Sequence, residues 1–250
     1  NGLMWHCQMN NQEQLDDLII DDLKIYQRQD QFRFSFDAIA LVHFCRFNQR
    51  HRYIDLGTGT GVLPLIGTSL GAGHITGVEI NDVMANMAER SVLYNHKSNV
   101  ISILQGDYRT MNYQQFGSKP FDGVLVNPPY FDHRRGEVPN DNHRCLALHD
   151  RCTSIDDVCK AASRLIKNKG RLWMVYSAPR LSELIHALTA VGFAVKRIRM
   201  VHGMIHKPAK IVLIEAIKGG EQGLIVEPPL IVYSQPNVYT EEVSRWYERK

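Results

Sequence analysis

The sequence predicts an α/β fold built on a seven-stranded, mostly parallel β-sheet that ends in an antiparallel hairpin. Strand-like and helix-like segments alternate through the centre of the chain, which is typical of a parallel sheet covered on both faces. The last two predicted strands are joined by a loop alone. Because such a loop is too short for a parallel crossover, we expect them to pair antiparallel. With 250 residues, 44% hydrophobic and 22% charged, the chain has the size and composition of one globular domain.

Each predicted strand is a short apolar run, and several end at a glycine or an acidic residue. We expect strands at residues 53–57, 74–80, 100–106, 121–126, 171–176, 193–201 and 210–217. We expect helices at residues 62–70, 83–96, 154–166 and 180–190. Thr153 or Ser154 is a suitable N-cap for the third of these helices, and Gly192 a suitable end for the fourth. The domain divides into an N-terminal extension (1–50), a core (51–218) and a C-terminal tail (219–250).

Composition argues against several other classes of protein. No apolar run reaches the roughly 18 residues that cross a bilayer, and the start of the chain is rich in aspartate where a signal peptide would be apolar. The five cysteines form an odd, sparse set without a CxxC pair, so neither a disulfide framework nor a zinc site is expected. We therefore expect buried thiols, no membrane contact and a reducing, cytoplasmic setting.

Positive charge is concentrated in one segment. Residues 193–210 contain no acidic residue and hold more positive charge than the whole chain, whose net charge is +3. The basic residues of this segment are Lys196, Arg197, Arg199, Lys207 and Lys210. Such a cluster is what a nucleic-acid phosphate backbone would meet. The alternative is a solvated strand-and-loop surface, and the charge alone does not decide between the two.

A glycine-rich turn follows the first predicted strand, in the run Tyr53-Ile54-Asp55-Leu56-Gly57-Thr58-Gly59-Thr60-Gly61. Glycines let the backbone approach a ligand, and the start of the following helix offers free N–H groups. A dinucleotide fingerprint is G-x-G-x-x-G, but here position 62 is valine and the spacing is G-x-G-x-G. This spacing resembles the turn that binds S-adenosylmethionine, although a plain tight turn has the same letters.

Acidic residues lie at the ends of the first three predicted strands. Asp55 belongs to the first strand, Glu79 ends the second, and Asp107 follows the third. Ligands of open α/β sheets bind outside the carboxyl ends of the strands. Glu79 is placed to accept hydrogen bonds from ribose hydroxyls, and Asp107 from the exocyclic amine of an adenine. Each acid alone is equally well explained as a helix cap or a surface residue, but three in succession favour a ligand site.

The most specific motif is Asn127-Pro128-Pro129-Tyr130, directly after the strand at 121–126. An exocyclic amine of adenine is a poor nucleophile because its lone pair is delocalised into the ring. Two acceptors aimed at its hydrogens, the Asn127 side-chain oxygen and the Pro128 carbonyl, favour a pyramidal nitrogen and free the lone pair. Pro129 stiffens the turn, and Tyr130 is suited to stack on a planar base.

The ordered motifs DLGTGTG, GVEIN, GD and NPPY resemble those of class I S-adenosylmethionine-dependent amino-methyltransferases, which have a Rossmann-like sheet. The segments FSFDA, NPPYF, KPAK, LIEAIKG, EPPL and YTEEV further resemble bacterial tRNA adenine-N6-methyltransferases that modify the adenosine 3′ of the anticodon in a valine tRNA. The similarity covers about residues 12–248. It implies a transferase for tRNA modification that makes N6-methyladenine, with residues 51–218 as the catalytic core, the tRNA anticodon loop as partner and no metal. A monomer is compatible with the sequence, which does not fix the oligomeric state.

The resemblance also implies roles by position for the cofactor. Gly57 and Gly59 lie beneath S-adenosylmethionine, Asp55 holds its amino-acid end and Glu79 its ribose. Asp107 binds its adenine.

For the adenine and the substrate, the same resemblance places Tyr108 or Ile80 against the face of the cofactor adenine. Asn127, Pro128 and Tyr130 are the catalytic residues, and Asn127 also touches the cofactor. Near the methionine end or the target base it places Phe36, Asp37 and Phe131. Asp37 has a second interpretation as the N-cap of a helix that begins near Ala38.

The segment 131–150 carries balanced charge and several histidines, His133, His143 and His149 among them. We interpret it as a mobile loop that closes over substrate. A metal site is not expected there, because its histidines lack metal-ligand spacing. The run 227–230 superficially echoes NPPY, but it has neither the asparagine nor the aromatic residue, so we expect a structural role.

Three alternatives stay open from the sequence. An Asn-Pro-Pro-Tyr turn also suits the amide of a protein glutamine, methylated at N5, although such enzymes usually carry a longer helical N-terminal domain. Methylation of an rRNA guanine at N2 uses similar chemistry. A catalytically silent module that binds S-adenosylmethionine or RNA is the alternative of another class.

Overall fold

A computed structural model describes residues 13–18, 20–28, 35–128 and 154–248 of the chain. The predictions made for Pro129, Tyr130, Phe131, the closing loop and its histidines lie outside the described residues.

The described residues form strands and helices in the alternating order that the sequence predicts. The strands are β1 (Glu13–Asp17), β2 (Lys24–Arg28), β3 (Arg52–Leu56), β4 (His74–Glu79), β5 (Ile101–Gln105), β6 (Phe121–Val126), β7 (Ile166–Ser177), β8 (Phe193–His202), β9 (Ala209–Lys218), β10 (Ile225–Val226), β11 (Leu230–Ile231), β12 (Tyr233–Gln235) and β13 (Val238–Tyr239). The helices are α1 (Phe36–Phe44), α2 (Val62–Ser69), α3 (Asp82–Tyr94), α4 (Ile155–Leu165), α5 (Leu181–Ala190) and α6 (Glu241–Arg245).

One sheet contains all seven strands that the sequence predicts. Its strand order is β8-β9-β7-β6-β3-β4-β5. Pairing is parallel from β7 to β5, whereas β9 pairs antiparallel with both β7 and β8. The predicted α/β class, the mostly parallel sheet and the terminal antiparallel hairpin are therefore confirmed. Two short tail strands that the sequence analysis did not predict, β10 and β11, add to the edge of β8 in parallel.

Successive side chains of the central strands point into two separate cores. Tyr53, Leu125 and Trp173 belong to the cluster covered by α1 and α2, whereas Ile54 and Val124 belong to the one covered by α4 and α5. This is the period of two that a strand imposes on its side chains. Because both faces are covered, the central strands are largely apolar, which explains why they appear in the sequence as hydrophobic runs.

The order of the strands creates a crevice at one point of the sheet. From β3 the chain steps outward to β4 and β5, and it then returns to place β6 on the other side of β3. Ligands of open α/β sheets bind where the strand order reverses, outside the carboxyl ends of the strands. We therefore expect the ligand site at the carboxyl ends of β3 and β6.

The N-terminal segment contains a hairpin that the sequence analysis did not predict. β1 and β2 pair antiparallel, and Asn95 at the end of α3 both donates to and accepts from the Lys24 backbone at 2.7 and 2.9 Å. The interpretation of Asp37 as an N-cap is wrong: α1 begins at Phe36 with Ser35 at the N-cap position, and Asp37 lies in the first turn.

The C-terminal tail packs back onto the sheet. Leu230 and Val243 are fully buried in the same core as α1, and Trp246 stacks on His43 at a ring-centroid separation of 4.6 Å. In the part of the chain that the structure describes, every helix is too short or too polar to span a bilayer.

Candidate active site

The glycine turn between β3 and α2 requires left-handed backbone at all three glycines. Their φ values are 74° at Gly57, 58° at Gly59 and 92° at Gly61, conformations that other residues adopt only at a cost. The N–H groups of Gly57 and Thr58 both donate to the Val78 carbonyl at 2.9 Å. A side chain at Gly57 would meet no heavy atom within 4 Å. The turn is therefore tied to β4 and leaves open space above Gly57.

Glu79, at the end of β4, is oriented by this turn. Its two carboxylate oxygens accept the Gly59 N–H at 2.8 Å and the Asn81 N–H at 2.9 Å. The residue is buried, so its position depends on these backbone donors. The carboxylate is held beside the glycines, where the sequence predicts a ribose.

Asp55 is the most unusual group of the site. It is 0% exposed, and within the part of the chain that the structure describes neither of its oxygens has a hydrogen-bond partner. Burial raises the pKa of the Asp55 carboxyl to about 7, although the neighbouring Thr58 hydroxyl acts to lower it. Buried polar groups normally find a partner. An unpartnered acid beneath a glycine turn therefore fits a ligand that carries a positive charge or hydrogen-bond donors.

Asp107, after β5, is engaged by a neighbour that the sequence analysis did not single out. The guanidinium of Arg109 donates to both Asp107 oxygens at 2.7 to 3.0 Å, and the Arg109 N–H donates to one of them at 2.9 Å. These hydrogen bonds from Arg109 thus use both oxygens of the carboxylate that was predicted to bind adenine. An arginine two residues after the acid, in a tight turn, was the signal for this pair.

A second arginine fixes the same turn from another element. Arg164, at the end of α4, donates to the carbonyl oxygens of Met111, Tyr108 and Arg109 at 2.6, 3.0 and 2.8 Å. No local pattern in the sequence indicates this contact, because the two segments are more than 50 residues apart in the chain.

Asn127 lies at the point where the strand order reverses. The register pairs Leu56 of β3 with Val126 of β6, so Gly57 and Asn127 are the next residues of two adjacent parallel strands. Neighbouring strands lie about 4.8 Å apart. Asn127 and Pro128, both partly buried, are thereby brought next to the glycine turn.

The other residues predicted near the cofactor belong to three different segments of the chain. Ile80 is 39% exposed directly after Glu79, and Tyr108 packs against the core covered by α4 and α5. Asp37 is partly buried in the first turn of α1. Phe36 stacks on Trp246 of the tail at 5.9 Å, which gives this side chain a packing role that the sequence did not indicate.

The basic cluster is split by the fold, and one of its assignments is wrong. Arg197 is buried, stacks on Phe44 and donates to Glu215 at 2.6 and 2.9 Å and to Glu227 at 2.9 Å. Arg197 therefore belongs to a structural ion-pair network and is not available to a phosphate backbone. The expectation failed because the sequence shows charge but does not show burial.

The remaining basic residues differ in availability. Arg199 binds both oxygens of Glu242 at 2.6 and 2.8 Å, and Lys196 donates to the backbone carbonyls of Glu221 and Gln222. Both are thus engaged with the tail. Lys207 and Lys210 are exposed, and they are the members of the cluster best placed to meet a ligand. Among the described residues no group of three or more His, Cys, Asp or Glu side chains is arranged to hold a metal.

A sheet that reverses between β3 and β6 and ends in the antiparallel β8–β9 pair is the architecture of a class I methyltransferase. The buried, unpartnered Asp55 beneath open glycines fits S-adenosylmethionine as its cofactor. Residues 47–245 match the family model described as a methyltransferase domain. The chain therefore belongs to the methyltransferase domain family.

Several proteins with similar sequences carry the name of one tRNA methyltransferase. The chain is 30% identical to a tRNA1(Val) (adenine(37)-N6)-methyltransferase of Mannheimia succiniciproducens, over 78% of this chain and 77% of that protein. A protein of the same name from Haemophilus influenzae is 26% identical over 87% of this chain and 90% of its own length. The chain spans only 64% of the length of like-named relatives from Shewanella and Porphyromonas gingivalis. A predicted O-methyltransferase of Agrobacterium tumefaciens shares the fold, with a TM-score of 0.65 at 22% identity over 86% of this chain and 99% of that one.

Proposed function

We propose that the protein methylates the exocyclic N6 amine of an adenine in tRNA, with S-adenosylmethionine as donor. The proposed target is the adenosine 3′ of the anticodon in a valine tRNA, in the bacterial cytoplasm. The observation that carries the proposal is the position of Asn127 and Pro128 beside Gly57, at the point where the strand order reverses. The relatives named tRNA1(Val) (adenine(37)-N6)-methyltransferase support the choice of RNA and base.

The cofactor is assigned to the residues around the glycine turn. When bound, S-adenosylmethionine supplies an electrophilic methyl group. The Asp55 carboxylate faces the positively charged amino-acid end, and Glu79, fixed by the Gly59 and Asn81 N–H groups, accepts from the ribose hydroxyls. Asp107 binds the adenine amine, which requires the Arg109 side chain to share that carboxylate or to move aside.

The amine is assigned to the turn after β6. The Asn127 side-chain oxygen and the Pro128 carbonyl accept its two hydrogens, which localises the nitrogen lone pair for attack. Catalysis then depends on positioning and on hydrogen bonds rather than on a strong base. Methylation makes the N–H more acidic, so its proton leaves to a water on Asn127 or to solvent. A base in an anticodon loop is easier to unstack into such a pocket than a base in a duplex.

The proposal is tested by radiolabelled methyl transfer onto total bacterial tRNA that lacks this modification, followed by nucleoside analysis. N6-methyladenosine in a valine tRNA is the expected product. Asn127→Ala should lower kcat by about 100- to 1,000-fold, as loss of one transition-state hydrogen bond does elsewhere, while binding of S-adenosylmethionine is largely kept.

Other outcomes would contradict defined parts of the proposal. Label in a release factor or in rRNA guanine would replace the substrate and keep the fold. No label in any acceptor, despite binding of S-adenosylmethionine, would favour a silent binding module. An Asn127→Ala variant that methylates tRNA at the wild-type rate would contradict the mechanism.

A further inference from the structure

A surface at the carboxyl end of β8 has no role in the site described above. β8 runs parallel to β7, because both pair antiparallel with β9. Its last residue, His202, therefore lies at the same edge of the sheet as Asn127, and so does the turn of residues 203–208. Two strands separate β8 from β6. Three strand spacings of about 4.8 Å place β8 about 14 Å from β6 across the sheet, and the register carries His202 three residues, about 10 Å, beyond the level of Asn127. The turn therefore begins about 17 Å from the amine-binding residues.

The tail hairpin β12–β13 lies directly beside this turn. The Tyr233 N–H donates to the Gly203 carbonyl at 2.9 Å, and the Val232 N–H donates to the His202 carbonyl at the same distance. Together the two turns present exposed apolar side chains, with Ile205 72%, Val238 51% and Tyr239 38% exposed.

Tyr239 is the middle ring of a three-tyrosine ladder. Its centroid is 5.2 Å from that of Tyr233 and 5.6 Å from that of Tyr247, and both pairs have an interplanar angle of 13°. Stacked carbon atoms lie about 3.5 to 4.0 Å apart, so rings at these separations are slid sideways and leave part of each face uncovered. A tyrosine phenol has a pKa of about 10 and is neutral at pH 7. The ladder is therefore an uncharged aromatic platform.

The charge of this surface is complementary to a phosphate backbone. Lys207 is exposed on the turn, Lys210 is exposed at the start of β9, and residues 233–240 contain no charged side chain. The two acids that follow, Glu241 and Glu242, form ion pairs with Arg245 and Arg199. This surface combines exposed cations with an aromatic platform, and the nearby carboxylates are already in ion pairs. That combination favours a nucleic acid over a protein as the binding partner.

We infer that the turns at 203–208 and 233–239 form a docking surface for single-stranded RNA. Tyr239 stacks on a nucleobase near the target, and Lys207 and Lys210 contact phosphates. The inference rests on the proposed function, because it states how the same substrate is held. A separation of about 17 Å corresponds to about five stacked nucleotides at 3.4 Å each, so the stacked base and the methylated base fit within one loop.

The stacking contact is tested with Tyr239→Ala, Tyr239→Phe and a control, Tyr94→Ala, with an unmodified valine tRNA transcript as probe. Tyr94 is an exposed tyrosine at the end of α3, a helix that contacts β4 and β5, far from β8 in the strand order. Tyr239→Ala should raise the KM for tRNA roughly 5- to 100-fold, the range for loss of one stacked base. The affinity for S-adenosylmethionine should not change, and Tyr239→Phe and Tyr94→Ala should resemble wild type.

The phosphate contacts are tested by salt dependence, which stacking does not affect. The double variant Lys207→Ala/Lys210→Ala should reduce the slope of log affinity against log salt by about 1.4, the value for two phosphates of a single strand. Lys119→Ala is the control, because Lys119 is exposed just before β6. It therefore lies at the amino ends of the parallel strands, whereas the turn of residues 203–208 lies at their carboxyl ends. Both lysines of the double variant are on the surface, so this test remains valid even if Tyr239→Ala weakens the tail.

Failure of the inference and failure of the proposed function give different results. If wild type methylates the transcript but Tyr239→Ala and the double-lysine variant keep its KM and salt slope, the docking surface is wrong and the function stands. If wild type neither binds nor methylates any RNA, the proposed function fails, and the inference fails with it.

Discussion

The Asp55 carboxyl group is completely buried, and among the described residues it has no hydrogen-bond partner. Burial is the main reason that its pKa is raised to about 7, and the charge of Glu79 adds to the effect while Thr58 opposes it. An isolated buried carboxylate is costly even after the protein relaxes around it. The unliganded protein therefore carries a local destabilisation where the cofactor's positive end is proposed to bind.

We predict that this residue makes the unliganded protein less stable as the pH rises. The Asp55 pKa is about 7 in the folded chain and about 3.9 in an unfolded one. The folded state therefore binds the extra proton between these values, so the stabilisation is present below about pH 4 and is lost as the pH rises through 7. At 1.36 kcal/mol per pH unit, the loss is on the order of 4 kcal/mol. Asp55→Asn should remove this dependence of stability on pH.

Urea unfolding at about pH 5 and pH 8 measures this effect. Asp55→Asn should be more stable than wild type at the higher pH and not at the lower one, and S-adenosylmethionine should stabilise wild type more than the variant. Glu183→Gln, at an exposed acid of α5, is the control. Parallel stability curves for wild type and Asp55→Asn would show that the carboxyl is charged and satisfied in the folded state.

At the residue scale, the sequence predicted the position of two acidic residues at strand ends but not the burial of a basic one. Asp55 and Glu79 were predicted from their place at strand ends, because the carboxyl ends of parallel strands share one edge. Arg197 was misassigned, because the sequence gives its charge but not that this face of β8 is covered by α1 and the tail. The contact of the Arg109 guanidinium with Asp107 was not predicted, although an arginine two residues after the acid was a local signal for it.

Among the elements, the turn after β5 depends on α4. Arg164 satisfies three backbone carbonyls of residues 108–111, and this turn carries Tyr108 next to Asp107. Hydrogen bonds from a charged donor contribute about 1.5 to 3 kcal/mol each, although Arg164 is exposed enough for water to replace part of this. The helix therefore acts as a support for the proposed adenine site.

We predict that Arg164→Ala raises the Kd for S-adenosylmethionine by about tenfold, the equivalent of roughly 1.4 kcal/mol. The reason is that the turn must then be ordered on binding. Arg164→Lys should recover only part of the affinity, because an ammonium lacks the planar fork of donors. Titration calorimetry measures the change, and Lys160→Ala, an exposed residue of the same helix, is the control. Wild-type affinity in Arg164→Ala would show that the turn holds its shape unaided.

The sequence predicted elements where the hydrophobic period was strong. The predicted limits of β6 are the observed ones, and α4 ends within one residue of its prediction. The hairpin β1–β2 was not predicted, because β1 is a polar segment, EQLDD, without alternation. It is held by side chains of α3, such as Asn95 and Ser91, that bind its backbone, and contacts of this kind leave no local pattern.

For the whole molecule, the sequence predicted the parallel sheet, because repeated βα alternation leaves few other solutions. It did not predict how the tail closes the structure. The tail strands extend the edge of β8, and the last turns cover α1 through Trp246. The partners lie far apart in sequence, and their contact depends on the completed sheet.

A buried ion-pair network joins these distant parts. Arg197 of β8 donates to Glu215 of β9, to Glu227 of the tail and to the Phe44 carbonyl at the end of α1. Burial acts to raise the pKa of Glu215, but Arg197 and Arg171 outweigh it, and the pKa is lowered. The network therefore links sheet, tail and helix through one guanidinium.

We predict that Arg197→Met lowers the free energy of unfolding by about 3 to 5 kcal/mol, because it leaves Glu215 buried without its main partner. The double variant Arg197→Met/Glu215→Gln should cost less than the sum of the two single changes, by about 0.5 to 3 kcal/mol. Lys196→Met, at the neighbouring position, should cost no more than about 0.5 kcal/mol. Urea unfolding measures wild type and the four variants, Glu215→Gln included, and the salt dependence of tRNA binding should be unchanged in Arg197→Met where it remains folded. A stable Arg197→Met variant with a reduced salt slope would instead return this arginine to the RNA surface and leave the tail held by its apolar contacts alone.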